Sequence, residues 1–544
     1  MIASAYGSFG DGKMERGYSD FFLGPKQEVP DSERPSALSV SPKAITALGS
    51  FAIFANAIIG PGLLSLPKIF DDAGALVPSA LLIVGFCVAS LATIARCETV
   101  ALMPGNAKFE RMVEFCDPAL KFVGMRTFYV CHFLFYLASM SMAVASIVLV
   151  AESADIAVAK IFGRSYALTY QDGLSFVTWS VDNCEQQHKC KPFLTGGQVR
   201  SDAFISLGYV VTFVVIFPIS ATESLSEGIG LQYLSFFVTM LSIPSLAGKS
   251  LFRAIKSGSH LSVWESGPDA MSASGVVLFN LMYGIFVSTW LPEKKPEVSV
   301  KRTVYRSSFM GAILMILYGA TVAASTKVVA SDGLLDSTEQ GEPLPVVIAA
   351  LAFGFFVIAS GIPVSCIMAR RNLETSSVKI CDPFAASVMC VAFPWAIAWL
   401  FYTTPPYRNL VNYSGLFVVS WLALWMPFFI LLHAIDPPPN SPQRIVVMPD
   451  YDETSDLRPR RSSCWSWIAY VRWFAGLLVA PPDYDVDTVL EPLPPRLQPY
   501  SKNIYATLLL LVTIWIFGAL LSYLIAFASL TDETVHDQLR TSGG

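Results

Sequence analysis

The stretch Asn56-Ala57-Ile58-Ile59-Gly60-Pro61-Gly62-Leu63-Leu64-Ser65-Leu66-Pro67 holds the residue pattern in this chain best suited to binding chemistry. It lies in an apolar run, about residues 45–66, that is long enough to cross a bilayer yet is interrupted midway by Gly60, Pro61 and Gly62. Pro61 removes a backbone donor, and the glycines beside it permit torsions that a continuous helix does not use. Backbone groups freed at membrane depth are tolerated only where they line an enclosed cavity. The half-helix beginning near Gly62 would aim its positive end and free NH groups at an anion, and the residues before it would offer carbonyls to a cation or an ammonium group. Gly60 to Leu63 thus suit a carboxylate, and the whole suits a zwitterion. A Pro-kinked helix of purely structural use is the alternative reading.

A second interruption is expected in the run 275–291, which is just long enough to span and carries Asn280 and Gly284, both poor helix formers. Unwinding over Asn280 to Gly284, Tyr283 included, would present carbonyls to a substrate ammonium group, and paired interruptions in two halves of a chain point to a midplane site. An ordinary short helix with a buried Asn is the competing reading. His132 is the histidine deep within an expected span, where it would serve a proton-coupled cycle or a structural hydrogen bond. Glu152 and Asp155 fall at the far end of the same span, where solvation accounts for them.

The elements that must position these groups are apolar helices. With 53% hydrophobic and 15% charged residues and a positive mean hydropathy, the chain reads as a polytopic membrane protein. Beyond the opening run, apolar runs recur at about 76–95, 122–150, 203–220, 230–247, 275–291, 309–324, 346–369, 384–402, 410–432 and 504–530, which makes eleven. Residues 1–44 read as a disordered polar tail without the apolar region of a removable leader. Residues 45–434 read as a ten-helix core, 435–502 as a loop with an aromatic interfacial helix at 464–479, 503–530 as the eleventh span, and 531–544 as a short tail on the opposite side. Lys/Arg bias puts the first tail and the 435–502 loop in the cytosol, with Lys249, Arg253 and Lys256 as an exception that snorkelling from an interfacial helix would cover.

Ten cysteines without zinc-type spacing predict no metal site. Cys184 and Cys190 lie in the longest non-cytosolic loop, about 156–202, where the compartment permits a disulfide and two free thiols are equally admissible. Asn412-Tyr413-Ser414 fits a glycosylation sequon but abuts a helix start. No HExxH, GxSxG, paired-Cys motif or His cluster appears, so no enzyme, no cofactor and no nucleic-acid partner is expected. The expected partners are a small-molecule substrate and the lipid bilayer; oligomeric state is open.

The opening stretch also resembles a known family. Asn56, the Ile58-to-Gly62 core, Leu64, Pro67, Phe70, Ala73 and Gly74 are similar to the first helix of the amino acid/auxin permease family, within the amino acid/polyamine/organocation superfamily. Phe217 to Leu225 with Leu234-Ser235-Phe236, Phe279 to Gly284 with Pro292-Glu293 and Pro296-Glu297, Ser360-Gly361-Ile362-Pro363 ending at Arg370, and Gly415 with Pro427 resemble its later helices. The resemblance covers roughly 70% of the chain.

It implies an all-α protein of 11 transmembrane helices, ten of them forming two inverted five-helix repeats with broken first and sixth helices, the LeuT-like fold, plus one extra helix. It also implies a secondary transporter of neutral amino acids, a symporter coupled to H+ or Na+. Asn56, Ile59 to Leu63, Asn280, Tyr283 and Gly284 would bind substrate, with Tyr136 and Ser139, and Phe286, walling its side chain. A sodium site would use carbonyls of Ala57 and Ile58 with a hydroxyl of Ser360 or Ser365, although Gly361 stands where sodium-coupled relatives carry threonine. Gly311 and Gly319 suit close helix packing. A plasma membrane and a vacuolar or lysosomal membrane fit equally. The alternative function is a transceptor that binds amino acid and signals without substantial flux.

Overall fold

The structure is a computed structural model. It describes residues 43–104, 106–170, 174–180, 192–193, 204–258, 261–264, 273–325, 344–378, 380–402, 407–435 and 501–542. The loop at 436–500, with its expected interfacial helix, and the pair Cys184 and Cys190 lie outside the described residues.

The chain is a polytopic α-helical membrane protein. Among the described residues nine helices are long and apolar enough to cross a bilayer, and a bent pair, Ala47–Ile58 and Pro61–Ala73, makes a tenth. The run expected as the fourth span folds as Leu207–Ser220, a shorter apolar helix of 14 residues. In chain order, α1 is Ala47–Ile58 and α2 is Leu66–Ala73; α3 is Leu76–Ala101, α4 Asp117–Phe122 and α5 Met125–Phe162. Then come α6 (Leu207–Ser220), α7 (Ile229–Ser257), α8 (Ala273–Asn280) and α9 (Val287–Trp290). The remainder are α10 (Val300–Ser325), α11 (Leu344–Glu374), α12 (Pro383–Tyr402), α13 (407–435) and α14 (Ser501–Ser542).

Local chemistry sets several boundaries. Thr46 starts α1 by accepting the Gly49 NH on its side-chain oxygen at 3.2 Å. Gly74 ends α2 at φ +74°, and a Cβ there would come within 2.9 Å of Trp264 N and Val263 O. That closeness lets Ala75 N and Leu76 N donate to the carbonyls of Ser262 and Val263, joining α2 to the segment after α7. α5 has 38 residues, about 57 Å of helix against a hydrocarbon layer of about 30 Å, so it must project from the membrane. α7 runs on through Lys249, Arg253 and Lys256 to Ser257 as one helix, and its dipole favours Lys256 in the last turn. α14 runs to Ser542, past the end expected at 530.

Two expectations need correction at the far end of α5. Asp155 is fully buried rather than solvated: its carboxylate accepts from Ser165 Oγ at 2.6 Å, from Gly208 N at 2.8 Å and from the Tyr402 hydroxyl. It pins α6 and the end of α12 to α5, as buried carboxylates with full hydrogen bonding do. The following segment is also not pure loop: Ser165–Tyr170 (β1), Leu174–Trp179 (β2) and Phe204–Ser206 (β3) form an antiparallel sheet in the order β2-β1-β3. Tyr166, Leu168 and Tyr170 alternate with small residues, a period-two signal that helix-oriented reading passed over.

Small residues set helix spacing, as lipid supplies no hydrophobic drive between spans. A Cβ on Gly319 would meet Phe70 Cδ2 at 2.6 Å, and one on Gly311 would overlap Ile58, so α10 lies directly on α1 and α2. A Cβ on Gly415 would come within 2.9 Å of Phe279 N, bringing α13 against α8. Asn412, in the sequon, is buried against Gly275. The window Ala273–Trp290 is 94% buried and Ser501–Tyr523 only 22%, which places α8–α9 at the centre and α14 against lipid.

Candidate binding site at the first-helix break

α1 closes with Ile59 N donating to Ala55 O at 2.9 Å; Gly60 is then extended, and Pro61–Ser65 forms a 3-10 turn begun by Leu63 N donating to Gly60 O at 3.1 Å. The two halves are bent by 41°. Residues 59–65 are all buried. Break and burial are as expected, but the reason for the glycines differs. Neither Gly60 nor Gly62 has a positive φ. They are needed for close approach: a Cβ on Gly60 would lie 3.1 Å from Met142 Cε of α5, and one on Gly62 would lie 2.7 Å from Asn280 Nδ2 and closer still to its Oδ1.

The sixth span is tightened rather than unwound. α8 ends at Asn280, Leu281–Phe286 is 3-10 helix, and α9 follows. In a 3-10 run the carbonyls are engaged three residues on, so free carbonyls are not generated across it. Asn280 Nδ2 donates back to Val276 O at 2.9 Å. Tyr283 is fully buried and turned to its neighbours: its hydroxyl meets Ser308 Oγ at 2.8 Å and Ser90 Oγ at 3.2 Å, and its ring stacks on Phe86. A Cβ on Gly284 would lie 2.6 Å from Thr93 Oγ1, so that glycine admits α3. Phe286 is buried too.

Other expected residues go elsewhere. The Tyr136 hydroxyl donates to Met389 O on α12 at 3.1 Å, and Tyr136 packs in a separate cluster with Met140, Leu373 and Cys390. Ser139 is buried and bonded to Phe135 O one turn back. His132 pairs with Ser376 Oγ at 3.1 Å, and that hydroxyl donates to Asp117 Oδ1; it belongs to one end of the bundle. Ser365 Oγ donates to Gly361 O, Ala57 is partly buried, and Ile58 packs on α10.

What gathers at the break instead is a set of neutral polar side chains. Asn56 Nδ2 donates to both the carbonyl and Oε1 of Gln232 in α7, each at 2.9 Å. Gln232 Nε2 in turn donates to Ser360 O in α11 at 2.9 Å, and Ser360 Oγ bonds Ser235 Oγ at 3.0 Å and Val357 O at 2.8 Å. Gln232 is the residue that sequence reading missed; an amide inside an apolar helix was the available signal. Met142 Cε lies 3.6 Å, and Ser146 Oγ 3.9 Å, from where a Cβ on Gly361 would stand, so α5 and α11 flank the break.

Around the break itself, Asn56 Oδ1, Ser65 Oγ and Ser146 Oγ are buried and have no hydrogen-bond partner among the described residues. A lost hydrogen bond at a buried group costs about 1–3 kcal/mol, so such atoms call for a ligand or water. The donor set is amide, hydroxyl and backbone. It can hold a carboxylate with an ammonium group, and it lacks the carboxylates or thiolates that divalent cations favour.

No family model matches this chain, and no curated protein is similar to it. Among solved structures it is similar to the manganese transporter of Eremococcus coleocola in complex with an aromatic bis-isothiourea substituted compound, with 13% identity, 88% of this chain and 94% of that chain covered, and a TM-score of 0.41. Two single-residue variants of that transporter align over 88% of this chain and 95% of theirs, with 12% identity and a TM-score of 0.42.

Proposed function

We propose that the protein is a secondary active transporter that moves neutral amino acids across a membrane by alternating access, with no covalent chemistry. The observation that carries this reading is the trio of unpartnered buried atoms on Asn56, Ser65 and Ser146 beside a broken membrane helix. In this reading the NH groups at Gly60 to Leu63 hold the carboxylate. The ammonium group is taken by Asn56 Oδ1 and the hydroxyls, rather than by carbonyls of the sixth span, because that span is 3-10 helix. The neutral donor set favours a zwitterion without a charged side chain.

Proton coupling is favoured over sodium. Ser360, the hydroxyl expected to hold sodium, is already bonded by Ser235, and its carbonyl by Gln232.

The test is uptake of each labelled amino acid by the purified full-length protein in proteoliposomes, with and without a sodium gradient and at two pH values. Gradient-driven uptake of at least one neutral amino acid is expected. Binding without flux would assign a sensor instead, and neither binding nor flux for any of the twenty would overturn the reading.

A further inference from the structure

At the end of the bundle where the chain enters α1, a charged cluster is buried outside the proposed substrate site. Glu114, in the loop between α3 and α4, is 2% exposed. Its Oε1 accepts from Thr375 Oγ1 at 2.8 Å, its NH donates to Asp117 Oδ2 at 2.9 Å, and its carbonyl accepts from Arg96 Nη2 at 3.3 Å. Arg371 of α11 pairs with the fully buried Glu293 at 2.7 Å, while its Nε donates to Glu223 O. The groups facing Glu114 are therefore Arg96 from α3, Asp117 from α4, and Arg371 and Thr375 from α11 and its end. His132 of α5 joins through Ser376 to Asp117.

The cluster is wired to a clasp. Ile45 N donates to Glu293 O at 3.1 Å and Lys295 N to Ile45 O at 2.9 Å, which closes the chain ahead of α1 onto the segment after α9. The carboxylate of Glu293 also accepts from Leu225 N and Ser226 N, so the connection between α6 and α7 is held by the same residue. The loop bearing Glu114 reaches the clasp directly: Lys294 Nζ lies 5.8 Å from the Phe109 ring centroid, and Lys43 Nζ donates to Lys108 O at 3.4 Å. Phe109 is held at φ +53°, a conformation costing about 1 kcal/mol or more that persists only where its surroundings enforce it.

We propose that Glu114 is a proton-binding site that governs this clasp: neutral Glu114 permits closure, and release of its proton to water opens the end of the protein. Burial supports it: Arg371 is paired with Glu293, and an ionised Glu114 would be sealed from water beside Asp117, a like charge that disfavours it. Burial pushes the Glu114 carboxyl up to about 7, the Thr375 hydroxyl and the Arg371 and Arg96 charges pull it back, and Asp117 raises it. A carboxyl raised in the closed form favours closure most fully below its ordinary 4.5, and that advantage fades as pH rises through about 7. What the opening admits belongs to the transport reading above; the proton site stands on the clasp alone.

Amide hydrogen exchange of the full-length protein in lipid nanodiscs tests it without flux. Protection of the peptides containing Ile45 and Lys295, corrected for intrinsic exchange, is compared between about pH 5 and about pH 9. In the wild type, protection should fall by about tenfold or more, the loss running upward from about pH 4.5 and levelling off above about pH 7. Glu114→Gln should stay protected throughout, and Glu114→Asp should move the midpoint. His132→Asn should leave it in place. Flat protection in the wild type, an unchanged midpoint in both Glu114 variants, or abolition by His132→Asn alone would overturn the proposal.

Discussion

The first and sixth spans are both interrupted, but they break in different ways and to different effect. The first is cut by Pro61 after an extended Gly60, bends by 41°, and leaves Asn56 Oδ1 and Ser65 Oγ buried without partners. The sixth keeps its course through a 3-10 run, and its polar groups are engaged: Asn280 with Val276, Tyr283 with Ser90 and Ser308. The difference teaches that unmet hydrogen-bonding capacity, more than the loss of regular helix, marks where a ligand belongs. In the proposed reading the first span is the binding surface and the sixth is its wall.

The comparison is broken most directly at their contact. Gly62→Leu should abolish uptake, because even a Cβ collides with the Asn280 amide, and overpacking a close contact costs about 1–3 kcal/mol. The protein should still reach the membrane. Gly62→Ala should lose less, and pairing it with Asn280→Gly should restore part of the loss; no recovery in the double variant would mean that the contact is not the cause.

Next in size is Gln232→Leu. It removes the amide that joins α1 to α11, leaves Asn56 Nδ2 only the backbone carbonyl of position 232, takes the side-chain donor from the Ser360 carbonyl, and should destabilise the protein by about 1–3 kcal/mol in a thermal or denaturant assay. Unchanged stability would deny the bridge its structural weight.

Ser65→Ala sharpens the distinction between surface and wall. Its hydroxyl has no hydrogen-bond partner among the described residues, so stability should hold or rise slightly while substrate affinity falls about tenfold, about 1.4 kcal/mol. Tyr283→Phe should do the reverse, with about 1 kcal/mol of stability lost and KM nearly unchanged. A KM effect from Tyr283→Phe and none from Ser65→Ala would invert the assignment of the two spans.

Much of the architecture was legible beforehand because the bilayer imposes it. The apolar runs are largely helix, though the run at 203–220 opens on β3, and the Gly60-Pro61-Gly62 interruption falls where it was read. Gly311 and Gly319 sit at close helix contacts, as small residues in spans do. What failed did so for one shared reason. Tyr136, Ser139 and His132 share one helix, and nearly one face of it, with Met142 and Ser146, yet only the last two flank the break: Ser139 and Ser146 stand about 10 Å apart along the axis, and tertiary packing decides which level meets the break. The Asp155 hub and the sheet beside it were hidden likewise: the partners of Asp155 come from Ser165, Gly208 and Tyr402, far apart along the chain.

The residue order alone determined that this chain crosses a membrane many times and favoured a break in its first span at Gly60-Pro61-Gly62, since apolar length and a Gly-Pro-Gly run act locally. Only the tertiary structure decided that Gly62 serves Asn280 rather than a special torsion, that Gln232 joins α1 to α11, and that Glu114 is dry. Those facts depend on which groups are brought within about 3 Å of one another and which are sealed from water, and no local pattern encodes either.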